Sequence, residues 1–408
     1  MPSVLAWLDY SADDQRRARE IVQLFSQQES RDELGIGTVR DALSDRLFPG
    51  VSTIQTRARY FLFVPWLFME GVRKGKTGPA LLAWVDWRER QLIEVLRASG
   101  AVDGLIGRVA GKQLKILPST IYWNSLQRFG ILAPGTMEQV AARNSGGQGI
   151  EDALTETVER AERTWDLNMP AAPPRFPNAD EVTFDLTSAE ADWLAERIIE
   201  TTEGSLLAWL MRQRIDPLAD SAGPWDEPAV RHDAPERLRV AVDHAERFSA
   251  VMHGAALLYN LLLARRCGEI GIPEAEKDVD GFTADLDDWA ADIDRRTGEL
   301  RGWDRDEFWQ MIAVQNPRIS PLTHHFVETW VALALSGRAA SVAADSDMCR
   351  VVSDRERQQK KAQSRLVNDR LLRQWGGGSG IDPLTYRWAQ VRRLLTDVTA
   401  PRRTDAGA

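Results

Sequence analysis

The side chains able to carry chemistry are few and far apart. Five histidines stand at His232, His244, His253, His324 and His325, and the two cysteines are Cys267 and Cys349. On a helix, Glu328 lies four residues from His324 and three from His325, within reach of one metal ion. No third ligand follows nearby, and no H-E-x-x-H pattern occurs. There is no G-x-S-x-G elbow and no cysteine paired with a suitably spaced histidine, so nucleophilic hydrolysis has no local support. Asp287 and Asp288 are adjacent carboxylates in an acidic stretch that reads as solvated, and His253 reads as a hydrogen-bonded core residue. These patterns predict no catalytic residue, metal ion or cofactor.

The cations say more. The formal net charge is −9, which does not fit a wholly basic nucleic-acid binder. From Arg350 to Ala408, however, 13 Lys or Arg face 6 Asp or Glu, whereas the preceding residues carry 38 basic and 54 acidic side chains. Lys360, Lys361, Arg365, Arg370, Arg373, Arg387, Arg392 and Arg393, with Trp388 as a stacking ring, are therefore candidate contacts to a sugar-phosphate backbone. The same cations suit an acidic protein partner or the chain's own acidic body.

Gly376, Gly377, Gly378 and Ser379 interrupt this basic stretch. Glycines let backbone N–H groups turn toward a phosphate, and Ser379 could add a donor. A P-loop ends in Lys followed by Ser or Thr, and Ile381-Asp382 stands there instead. The run fits either a backbone-phosphate contact or a helix cap and hinge. Arg57 and Arg59, beside Tyr60 in an apolar segment, need partners. A phosphate would serve, as would Asp41, Asp45 or Glu33.

The elements that must position these groups read as helices. Apolar residues recur at helical spacing and strand alternation is scarce. Helices are predicted from Ser11 through Phe25, over Val39 to Phe48, from Ser52 with a kink or break at Pro65, over Pro79 to Ser99 and over Pro118 to Phe129. Others follow over Ile150 to Trp165, from a capping box at Thr187 and Glu190, and over Leu206 to Ile215. A long helix over Pro235 to Arg266, closed by Gly268, should be a central spine. Asp304 to Val314, Pro321 to Leu335, Ala340 to Gln359, Arg365 to Trp375 and Leu384 to Val398 complete the set. Residues 105–132 fit a small helix-turn-helix or winged element, or an ordinary helical pair. The fifteen tryptophans are spread widely through apolar helices and read as core anchors.

A chain of 408 residues that is 43% apolar can bury more than one core. The expectation is a mainly α, multi-helix fold with two to three helical subdomains. These are an N-terminal helical domain over 1–142, a central one over 150–345 around the 235–266 helix, and a basic helical region over 346–400. The longest apolar run, Tyr60 to Met69, contains Pro65 and falls short of the roughly 20 residues that span a bilayer. The N-terminus lacks the layout of a secretory signal, and two cysteines make no disulfide framework. A cytoplasmic protein without a membrane segment is expected.

Several stretches together resemble an uncharacterised bacterial domain-of-unknown-function family. They are Trp7-Leu8-Asp9-Tyr10, Arg31 to Gly37, Pro49-Gly50 with Ser52 to Tyr60, Leu206-Leu207-Ala208, His253 to Asn260, and Trp375-Gly376-Gly377 with Tyr386-Arg387-Trp388. The resemblance implies a cytoplasmic protein encoded near helicases, nucleases or methyltransferases in bacterial defence clusters, and through them a role in anti-phage defence. It brings no catalytic residues. The expected function is thus a non-catalytic defence component that binds DNA or RNA, or docks onto a DNA-processing helicase or nuclease. Two alternatives stay open: a nuclease or nucleotide hydrolase whose site is assembled from distant segments, and a protein-binding scaffold.

Overall fold

The computed structural model describes residues 32–143, 164–178, 182–218, 220–273 and 275–406. The Trp7-to-Tyr10 stretch, the helix expected from Ser11 and most of that expected over Ile150 to Trp165 lie outside them. The fold is mainly α and multi-helical, with sixteen α-helices among the described residues. In chain order the first eight are α1 (Gly37–Leu47), α2 (Tyr60–Arg73), α3 (Gly78–Ala98), α4 (Pro118–Arg128), α5 (Met137–Arg143), α6 (Ser188–Thr201), α7 (Leu206–Gln213) and α8 (Pro228–Asp233). Then come α9 (Glu236–Glu269), α10 (Ala275–Arg295), α11 (Thr297–Arg301), α12 (Arg305–Gln315), α13 (Pro321–Leu333), α14 (Ser346–Lys360), α15 (Asp369–Leu372) and α16 (Trp388–Ala406).

The chain forms two compact units that do not follow sequence order. One joins the residues up to Ser44 to Pro235–Tyr386; the other joins Asp45–Ala234 to Arg387–Ala408.

In the Asp45–Ala234 unit, α2 is buried on every face, from Tyr60 through Phe68, as its apolar composition requires. Two expectations for this segment are corrected. The helix opens at Tyr60 rather than at Ser52, because the amides before it are satisfied by side chains instead of a helical ladder. Thr56 N and Arg57 N donate to the Tyr122 hydroxyl at 2.9 and 3.2 Å, and Ala58 N donates to Asp397 at 2.8 Å. Pro65 does not break the helix, since packing on all sides holds the turn whose hydrogen bond it lacks. The capping box at α6 is present as expected, with Glu190 N donating to Thr187 Oγ1 and Thr187 N to Glu190 Oε2.

Residues 105–132 hold a single 3₁₀ turn and α4, joined by no strand pair; the bridge between Leu132 and Trp165 is isolated. No wing is present among the described residues. Pro118 and Ser119 at the start of α4 are buried, whereas a recognition helix presents its first residues to base edges.

In the Pro235–Tyr386 unit, the long helix expected over Pro235 to Arg266 is present as α9. It runs through Gly268 to Glu269, and the closing left-handed glycine is Gly271, with Ile272 N reaching back to Cys267 O. α10 was not legible in the acidic sequence, yet Phe282, Leu286, Trp289 and Ile293, four or three apart, form one buried stripe along α9. Trp289 lies so close to α9 that a Cβ on Gly254 would stand 2.2 Å from its ring. The helix expected over Arg365 to Trp375 is only one turn, α15, opened by Asn368. Among the described residues no helix is long and apolar enough to cross a membrane.

Candidate functional site

The expected basic site divides between the two units. In the unit containing α16, every candidate cation is already engaged. Arg57 donates to the Asp397 carboxylate at 2.9 to 3.0 Å and lies 5.1 Å from the Phe184 ring. Arg59 pairs with Glu190 at 3.0 Å and donates to Thr183 O. These partners differ from the expected Asp41, Asp45 and Glu33: Asp397 comes from the far end of the chain, and Glu190 is also the capping residue of α6. Burial pushes the Asp397 carboxyl up, against the pull of Arg57.

Arg387, at φ +67, donates to Asp45 at 2.7 Å and to Val51 O. Arg392 donates to Leu218 O at 3.1 Å, and Arg393 to Asp103 at 3.2 Å. Trp388 cannot stack on a base. It is 0% exposed, packs against Phe48 and donates its indole N–H to Ser221 Oγ at 3.0 Å. These residues cross-link the unit that contains them, and only Arg393 keeps substantial exposure, at 41%.

The other unit uses some cations and leaves others free. Arg365 is buried, donating to Glu33 at 2.7 Å and to Ser379 Oγ at 3.2 Å, while its own backbone N–H donates to Glu356. Lys360 also reaches Glu33, at 3.1 Å. Arg355 holds the Leu34 and Gly35 carbonyls, so two arginines and a lysine fasten the segment 33–35. Ser379 is stitched to α9: its N–H donates to Asn260 Oδ1 at 2.8 Å and its carbonyl accepts from Asn260 Nδ2 at 3.0 Å. Neither group is open to a phosphate. Gly376 and Gly377 are exposed, and Gly378 is half-buried.

Lys361, Arg370 and Arg373 differ from the rest. All three are exposed, and among the described residues none forms an ion pair. Arg370 and Arg373 lie one turn apart at α15 and so share a face. The peptide between them and Lys361 is folded tightly, with Ser364 N donating to Lys361 O and Asn368 Nδ2 to Ala362 O. The nearby carboxylates are spent elsewhere: Glu356 is 0% exposed and accepts from Ser364 and Arg365, and Asp369 accepts from Arg266. The arrangement can hold an anion by charge.

Glu328, weighed as a metal ligand, accepts from Arg305 Nε and Trp309 Nε1, and His324 lies against the Trp309 ring. Among the described residues no group of three or more His, Cys, Asp or Glu is placed to hold a metal ion. His253 Nε2 meets Ile381 O at 2.8 Å.

The sequence offered Glu33 only to Arg57 and Arg59, not to Arg365 and Lys360, and did not reveal Asp397, Asp103 or Glu356, because each lies far along the chain or in an ordinary helical context. It also missed Glu89, a 1%-exposed carboxylate that accepts from both the N–H and the hydroxyl of Ser119. No curated protein and no solved structure matches the chain. A family model described as a family of unknown function (DUF6361) matches residues 2–402, and the chain therefore belongs to that family.

Proposed function

We propose that this protein is a non-catalytic binding component that engages nucleic acid through Lys361, Arg370 and Arg373. The setting we propose is a bacterial anti-phage defence system, where it would work beside a DNA-processing helicase or nuclease in the cytoplasm. The observation that supports this reading is selective. In a stretch where Arg355, Lys360 and Arg365 are consumed by internal partners, these three cations are exposed and unpaired among the described residues. Unpaired surface cations on a tightly folded turn suit a phosphate backbone, where each neutralised phosphate releases a counterion.

The test is fluorescence anisotropy with labelled DNA and RNA over about 50 to 200 mM salt, comparing the wild type with Lys361→Gln/Arg370→Gln/Arg373→Gln. If all three cations meet phosphates, the slope of log K against log salt becomes shallower by roughly 2 to 3 in the variant. Wild-type and variant slopes that coincide, or binding to polyglutamate with none to nucleic acid, would remove the proposal. The second of these results favours a protein-docking scaffold instead.

A further inference from the structure

The loop between α3 and α4 carries a charge pattern that the readings above leave unused. From Gly104 to Met137 the sequence holds no Asp or Glu, and Arg108, Lys112 and Lys115 within it are all exposed. Among the described residues none of the three forms an ion pair. The flanking carboxylates belong to other arginines: Asp86 to Arg90 at 2.7 Å, Glu94 to Arg97 at 3.3 Å, and Asp103 to Arg393 at 3.2 Å.

The loop is also held in shape from below. Arg90 donates to Lys112 O and, at 2.8 Å, to Leu114 O; Arg97 donates to Arg108 O at 2.7 Å and to Gly107 O at 3.4 Å. Two arginines of α3 thus pin four carbonyls of the segment that displays the cations. Its ends are anchored by buried Leu105, Ile106, Ile116 and Leu117, with Ile106 N donating to the Tyr60 hydroxyl at 3.1 Å. Gly107, at φ +85, permits the close approach, since a Cβ there would stand 3.0 Å from Ile93. At the tip Val109 is 92% exposed.

A surface already fixed in its binding shape loses little freedom on docking, which is the condition under which a few charges give useful affinity. We infer that the 104–115 loop docks on the phosphate backbone of a nucleic acid, with Arg108, Lys112 and Lys115 facing phosphates and Val109 making an apolar contact in the groove. The inference takes from the preceding section only the class of ligand; its residues and its unit are different. An anionic lipid surface is the competing polyanion, but one valine buries too little apolar area to anchor a chain, and stable attachment takes two anchors.

The experiment uses the full chain and the variant Arg108→Gln/Lys112→Gln/Lys115→Gln with a short labelled duplex over about 50 to 200 mM salt, with thermal unfolding as the folding control. Three lost phosphate contacts make the variant's loss of affinity across that range roughly 40-fold smaller than the wild type's. Val109→Ser should weaken binding without altering the slope. If the wild type binds and the loop variant matches it in affinity and slope, the loop is not a contact, while the reading through Lys361, Arg370 and Arg373 stands. If the loop variant alone loses affinity, the loop is supported and the earlier carrier is overturned. A wild type that binds no nucleic acid, or binds only vesicles of phosphatidylserine, overturns both.

Discussion

Glu89 should make its unit less stable as the pH rises through neutrality. Its carboxylate is 1% exposed, and burial raises its pKa from 4.5 to about 8, outweighing the two hydrogen bonds from Ser119 that favour the charged form. Between those values the folded state holds a proton that the unfolded chain releases, so stability is full below about pH 4.5 and falls as the pH rises toward about 8. At roughly 1.4 kcal/mol per pH unit, the loss between about pH 5 and 7.5 is about 3 kcal/mol. Glu89→Gln keeps an oxygen acceptor for Ser119 N and removes the titration. Hydrogen exchange of the α4 amides, corrected for intrinsic rates, reports on this unit locally, and the wild-type minus variant difference cancels other titrating groups. A difference that stays flat from about pH 5 to 7.5 would refute the reasoning, because it would mean that the carboxyl is not desolvated in the folded protein.

Three further outcomes follow from the same physical account. Asp397→Ala leaves Arg57, 17% exposed, without its buried partner and should cost about 3 to 5 kcal/mol in urea unfolding; Arg393→Ala, whose pair with Asp103 is solvent-exposed, should cost about 1 kcal/mol or less. Gly254→Ala gains helix propensity of roughly 1 kcal/mol but drives a methyl into the Trp289 ring, so denaturation should show a net loss of about 2 kcal/mol. His244 accepts the Trp303 indole N–H at Nδ1, 2.9 Å away, and burial lowers its pKa despite Glu307 nearby. The folded state therefore resists protonation, and stability should fall as the pH drops below about 6.5. His244→Gln, which keeps an acceptor, should show a flatter acid limb in pH-dependent unfolding.

Much of the helical layout was legible because periodicity and caps are local signals. Thr187 with Glu190, Pro118 at the start of α4, and the apolar spine of α9 each mark an element within a few residues. α10 escaped because its buried stripe of Phe282, Leu286, Trp289 and Ile293 sits among acidic residues that make the segment read as solvated. The premature start at Ser52 has a different cause: Thr56, Arg57 and Ala58 satisfy their amides through Tyr122 and Asp397, groups that no local pattern connects to them.

The basic site was legible as composition but not as geometry. Counting charges places Arg365, Arg387 and Arg393 in one group with Lys361, Arg370 and Arg373. Only three-dimensional pairing separates cations that hold the fold from cations left exposed and unpaired. Trp388 shows the same limit, since an aromatic beside arginines reads alike whether it faces solvent or fills a core.

The central claim, that cations free of internal partners are the ones nucleic acid touches, is tested most directly by lysine acetylation footprinting with mass spectrometry. In the presence of saturating DNA, Lys361 should lose most of its reactivity, while Lys74, exposed after α2 but paired with Glu70 at 3.9 Å, should react as before. Equal reactivity of Lys361 with and without DNA under conditions where DNA is bound would contradict the account.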